Sequence, residues 1–209
     1  MEKKYWDGFY NRNGAPVRPS DFALYIEKEY SEFVNSVVDV GCGNGRDSFH
    51  FASKDINCIG IDQSDSAVKI NNSNIPSEIL NLKFIHGDFP SFDYKSLNVD
   101  KLSVYSRFTL HSINYDEEKV FFDNLRGLDC LDYLFIEVRS INDEIYGDGK
   151  EVGKHEFITS HYRRFIDPKD LYKRLSNSFE VVFFDESKGY SKTENDDPCL
   201  IRVAAKKIQ

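Results

Sequence analysis

Positive charge is in short supply: 27 lysines and arginines stand against 35 aspartates and glutamates, a formal net charge of −8. The resulting field repels phosphate backbones, which excludes nucleic acid as a large-surface partner. Long hydrophobic runs are missing too. No stretch approaches the roughly 20 apolar residues of a membrane helix, and Met1–Asp7 (MEKKYWD) lacks the apolar core of a secretory signal. A soluble, cytoplasmic protein with no membrane partner is expected. Cysteines are few, and Cys42, Cys58, Cys130 and Cys199 lie far apart with no CxxC or close Cys/His pair. That spacing argues against a disulfide framework and against a structural zinc, so no metal is expected. Tryptophan and methionine occur once each, yet aromatics still reach 14%.

What remains is the composition of one globular unit: 209 residues, 40% apolar and 30% charged, the length of a single domain with additions. Short apolar runs alternate with amphipathic stretches. Strands are predicted at Ser36–Val40, Asn57–Ile61, Leu82–His86, Lys101–Tyr105 and Tyr133–Val138, with helices at 46–54, 64–73 and 116–126 between them. Repeated strand–helix units imply parallel strands covered by helices. A helix entered through Asp167-Pro168 follows, then strands Phe179–Phe184 and Leu200–Ala205 across a polar, turn-rich segment. The fold class expected is α/β, a seven-stranded, mostly parallel sheet ending in an antiparallel hairpin, with helices on both faces. Two segments stand outside the alternation: the aromatic 1–30, with a helix near Asp21–Tyr30, and the glycine-, histidine- and arginine-bearing 140–165, expected to be irregular and functional.

The densest signal is Asp39-Val40-Gly41-Cys42-Gly43-Asn44-Gly45-Arg46-Asp47, a strand running through three glycines into a helix. Glycine is required where the backbone turns through positive φ or something approaches within contact of Cα. The next strand ends in Asp62, 21 positions after Gly41, the spacing of a ribose-binding acid, with Gln63 beside it. A third strand ends at Asp88-Phe89, suited to a base edge and a base face. Three strand ends thus converge on one nucleoside. Arg46 stands where a dinucleotide fold needs its third glycine, and no Lys-Ser or Lys-Thr follows the loop as a phosphate-binding loop requires.

The loop resembles motif I (D-x-G-x-G-x-G) of the class I S-adenosylmethionine-dependent methyltransferases, of the bacterial small-molecule type, and the resemblance extends to Asp62, Asp88-Phe89 and the terminal hairpin. It implies a Rossmann-like sheet forming one methyltransferase domain over 1–209. It implies S-adenosyl-L-methionine as cofactor, with S-adenosyl-L-homocysteine as product, bound by Asp39, Gly41, Cys42, Gly43, Asn44, Gly45, Asp62, Gln63, Asp88, Phe89 and Ser106. The aromatic start, with Tyr5, Trp6 and Tyr10, resembles the lid that such enzymes carry before motif I.

Methyl transfer from a sulfonium needs alignment and desolvation, and a proton acceptor if the nucleophile is a hydroxyl. His111, on the rim after the fourth strand, is the expected base; its alternative is a cap on the following helix. Arg107 on the same rim would hold the acceptor or a backbone carbonyl. Ser106-Arg107-Phe108 stands where related enzymes acting on planar amides or bases carry Asn/Asp-Pro-Pro-Tyr/Phe. A small molecule is therefore expected as acceptor, oxygen ahead of nitrogen. His155, His161, Tyr162, Arg163 and Arg164 concentrate basic and aromatic groups in an acidic chain, and an arginine fork suits phosphate or carboxylate. That favours an anionic, phosphorylated or sugar-linked metabolite, unless Arg163 or Arg164 merely pairs with acids such as Asp167 or Asp170. A catalytically silent cofactor-binding module, partner or activator of another enzyme, is the competing reading. The oligomeric state is not written in these residues.

Overall fold

Val37, Val38 and Val40 are fully buried, β-branched residues in the extended conformation they favour. They form β1 (Ser36–Val40), the middle of a sheet whose order, in the computed structural model, is β3-β2-β1-β4-β5-β10-β9. The structure describes residues 18–208. Strands β2 (Asn57–Asp62), β3 (Leu82–His86), β4 (Leu102–Arg107) and β5 (Leu131–Arg139) run parallel with β1, while β10 (Leu200–Lys207) is antiparallel to both β5 and β9 (Phe179–Ser187). The expected strands are all present; β5 starts two residues earlier and β9 ends three later than the sequence pattern suggested.

Successive strand residues point to opposite faces, so Val37 and Val38 feed different cores. One gathers Val37, Phe51, Tyr105 and Phe135 beneath helices α1 (Asp21–Tyr30), α2 (Arg46–Ser53) and α3 (Asp65–Ser73). The other gathers Val38, Val104, Phe121 and Leu171 beneath α4 (Tyr115–Arg126) and α5 (Pro168–Ser176). Helices cover both faces. Caps fix where the helices begin: Asn114 and Glu117 form a reciprocal capping box on α4, and Asp167 accepts the Lys169 N–H at 2.9 Å ahead of Pro168.

One expectation changes. Segment 140–165 is not irregular; it builds its own antiparallel sheet from β6 (Lys150–Gly153), β7 (Glu156–Ile158) and β8 (Tyr162–Arg164). A small aromatic core, Tyr146 against Phe157 (5.3 Å) and Phe165 (5.4 Å), supports it. The excursion closes where it opened, since Ser140 bridges Ile166 and the Ile141 N–H donates to the Ile166 carbonyl at 3.0 Å. The helix expected near Asp21–Tyr30 is present as α1. Tyr5, Trp6 and Tyr10 lie outside the described residues, and α1 is a wall of the core, with Phe22 stacked on Tyr105 at 5.1 Å.

Candidate functional site

A cavity of about 430 Å³ opens at the C-terminal ends of β1, β2, β4 and β5. The strand order reverses about β1, and that switch point is where a parallel sheet leaves room for a ligand.

The glycine loop forms one wall. Gly41, Gly43 and Gly45 all take positive φ (65°, 56° and 73°), as the sequence required. Their neighbours differ from expectation, however. A Cβ on Gly41 would sink into Thr109 Cγ2, and one on Gly45 would come within 2.7 Å of the Phe84 ring. Gly41 and Gly43 line the cavity; Gly45, the α2 N-cap, does not. Four of the loop N–H groups are already occupied. Gly41 and Cys42 donate to the Ile61 carbonyl (2.7 and 3.1 Å), Gly43 to Asp62 Oδ2 (2.8 Å) and Gly45 to the Cys42 carbonyl (2.9 Å). A pyrophosphate cradle, which needs those donors free, is thereby ruled out.

Carboxylates dominate this end. Asp62 receives the Ser64 N–H at 2.8 Å as well as that of Gly43, so the acid expected on the ribose also sets the loop's shape. Asp39 accepts from Ser48 Oγ at 2.6 Å; burial, with Asp47 and Asp62 close by, pushes its carboxyl well above the usual range. Asp47, which the sequence reading passed over, takes three donors: the Ser20 N–H and Oγ (2.7 Å each) and the Tyr105 hydroxyl (2.8 Å). Cys42, Asn44 and Gln63 complete the lining here, together with Arg46 beside Asp47. The Cys42 thiol, buried beside Asp62 and Asp39, is held well above its usual pKa and is no nucleophile. Phe89 lines the cavity while packing edge-on to Phe121 at 5.1 Å. Besides Gly45, two expected cofactor contacts are not brought in: Asp88 is exposed, accepting from Ser91 Oγ at 3.0 Å, and the Ser106 hydroxyl is spent on Thr109 Oγ1.

The opposite end is basic. His111 sits in a short 3₁₀ turn, Leu110–Ser112, only 8% exposed, its ring stacked on Phe108 at 5.5 Å. Its Nδ1 has no hydrogen-bond partner among the described residues. Burial first, then the charges of Arg163 and Arg139, the neighbouring His161 and the Arg107 charge, holds this imidazole well below the ordinary histidine value of 6.5. It is neutral at physiological pH. Arg107 lies 4.3 Å over the Phe108 ring and donates to Glu137 Oε1 at 3.0 Å. Arg139, not foreseen from sequence, reaches the cavity from the end of β5, gripped by both oxygens of Asp143 (3.0 and 2.9 Å) and by Asp196. Arg163 and His161, 3.0 Å apart, enter from the excursion. Tyr105, Phe108, Thr109 and Ser112 also line the space and were likewise missed.

Three residues grouped with these as acceptor contacts lie elsewhere. His155, in the turn between β6 and β7, bonds the Tyr146 hydroxyl at 2.8 Å. Tyr162 lies outside the lining, and Arg164 turns away into the protein to bond the Ile113 and Leu110 carbonyls and Glu118.

Residues 34–122 match a family model described as a methyltransferase domain. No curated protein is significantly similar to the chain in sequence. Among solved structures, a SAM-dependent methyltransferase from Anabaena variabilis superposes with a TM-score of 0.73 at 16% identity, over 99% of this chain and 93% of its own. One from Methanosarcina mazei gives 0.71 at 18% identity, over 88% and 97%. The glycopeptide N-methyltransferase MtfA, solved with S-adenosyl-L-methionine, gives 0.64 at 12%, over 93% and 97%. At these identities the likeness is one of fold.

Proposed function

We propose that this chain is a class I S-adenosylmethionine-dependent methyltransferase and that it methylates an oxygen of a small, anionic acceptor. The observation that carries the reading is the polarity of the cavity. Asp39, Asp47 and Asp62 stand at the β1–β2 end; Arg107, Arg139 and Arg163 stand at the β4–β5 end.

The acidic end suits the methyl donor. S-adenosylmethionine is a sulfonium with an ammonium on its methionyl tail, whereas a dinucleotide would bring phosphates to Asp47 and Asp62 and to a loop whose glycine N–H groups are engaged. Gly41, Gly43, Asp62 and Gln63 would hold the donor's ribose side, with Phe89 against its base. Bound there, the donor supplies an electrophilic methyl group and a thioether leaving group.

The chain's own part is to bind, dehydrate and deprotonate the acceptor. The guanidinium rim, in which Arg107 is backed by Glu137 and Arg139 by Asp143 and Asp196, would present N–H donors to a carboxylate or phosphate and none of the acceptors needed by an amine, which at neutral pH arrives as a cation. A hydroxyl carries no such charge but must lose its proton. His111 is uncharged, so its imidazole can take one. The surrounding cations then oppose build-up of the imidazolium, so the proton is quickly passed on.

The test has two stages. A thermal shift on adding S-adenosylmethionine measures binding, amounting to about 2.7 kcal/mol at a hundredfold excess over Kd. Turnover is then screened with hydroxy acids and phosphorylated sugars against uncharged and cationic analogues. Turnover confined to amines would overturn the acceptor assignment; binding without any turnover would favour the silent module.

A further inference from the structure

We infer that Arg164 is the positioning residue of the histidine base, aligning the imidazole through its backbone from the far side of the cavity wall. The inference rests on the proposed role of His111 for its catalytic consequence, though the contacts that support it stand without that role.

A catalytic histidine is ordinarily oriented by a carboxylate or carbonyl on its second ring nitrogen. Among the described residues His111 has no such bond at Nδ1. Its ring direction depends on the Phe108 stack and on the short turn that carries it, so whatever fixes that turn fixes the base. Arg164 does this on both sides of the histidine, its Nε donating to the Ile113 carbonyl at 2.9 Å and its Nη2 to the Leu110 carbonyl at 3.3 Å. The same guanidinium meets Glu118 of α4, whose other oxygen lies 2.9 Å from Arg174 of α5. The side chain is 6% exposed, and a planar fork spanning two carbonyls and a carboxylate is something an ammonium cannot reproduce.

Strand alternation gives the arrangement a second consequence. Arg163 and Arg164 are adjacent on β8 and face opposite ways, Arg163 into the cavity and Arg164 behind the histidine turn. One three-residue strand therefore carries a cation of the acceptor rim and the clamp of the base. The two are held in register by a single segment of backbone.

Arg164→Lys tests this, because it keeps the charge and the aliphatic stem but loses the fork. Three quantities are read: Kd for S-adenosylmethionine, kcat with whichever acceptor turns over, and the His111 imidazole resonance through a pH titration, assigned among five histidines by comparison with His111→Gln. The groups facing that imidazole are Arg107, Arg139, Arg163 and His161, and Arg164→Lys leaves all four in place. The expected result is an unchanged Kd, kcat lower by at least about tenfold, and a displaced His111 resonance and midpoint. An unmoved resonance and midpoint in the folded variant would overturn the inference, as would a full return of both in Arg164→Gln. If His111→Gln turns over normally, the base assignment fails, while the resonance shift still decides the role of Arg164.

Discussion

Replacing Gly41 by alanine puts a methyl group where Thr109 Cγ2 already is, on a backbone at φ +65°. Two costs add. The left-handed conformation costs an L-residue about 1–2 kcal/mol, and forcing a methyl into a packed site costs about 1–3 kcal/mol. Thr109 cannot swing away cheaply, because it is β-branched and its Oγ1 is engaged with Ser106. The total of about 2–5 kcal/mol corresponds to a Tm lower by roughly 4–20 °C for a chain of this size. Only the steric part is relieved by Thr109→Ser, which deletes Cγ2 and keeps the hydroxyl. The double variant Gly41→Ala/Thr109→Ser should thus be more stable than the sum of its single changes by about 1–3 kcal/mol, measured by urea denaturation of all four proteins. A coupling below about 0.5 kcal/mol, the usual limit of additivity, would refute the contact as the reason for this glycine.

Asp62→Ala removes the acceptor of the Gly43 and Ser64 N–H groups and should cost about 1–3 kcal/mol and weaken S-adenosylmethionine at least about tenfold; calorimetric titration checks it, and unaltered affinity would count against the ribose-side assignment. Tyr105→Phe should lose about 1.5–3 kcal/mol by stripping one of three donors from buried Asp47, read as a lower urea midpoint. His111 is held below its unfolded pKa, so between the two values the unfolded chain binds more protons and stability falls as pH drops below about 6.5. Over the first unit that loss is at most about 1.4 kcal/mol, and the urea midpoints of His111→Gln should decline less between pH 7 and 5.5 than those of the parent. His111→Ala should slow turnover about 10²–10⁴-fold with donor affinity intact; undiminished turnover in a stopped assay would dismiss the base.

The run from Val37 to Asp47 was legible because a strand, three positive-φ positions and a helix start follow one another within a few residues, and each leaves its mark locally. Helix Asp21–Tyr30 could be read for the same reason. Strands β6, β7 and β8, at four residues or fewer, are too short for alternation to register and were hidden among turn glycines. Other misses come from contacts across the chain. Tyr105 finds Asp47 58 positions away, and Arg139 becomes part of the cavity because β5 ends next to β4, neither of which any local pattern announces. Arg163 and Arg164 read identically in sequence, and only the pleat of β8 sends one to the cavity and the other behind the His111 turn.

The excursion between Ser140 and Ile166 leaves the sheet and returns to it at the same spot, so its ends impose almost no span on whatever lies between them. Natural variation or grafting could exchange this stretch wholesale and replace the His161 and Arg163 side of the cavity without disturbing the glycine loop. The licence has one condition. Any replacement must arrive with its own anchor behind Leu110 and Ile113, or the new lining would come at the expense of a histidine turn left to wander.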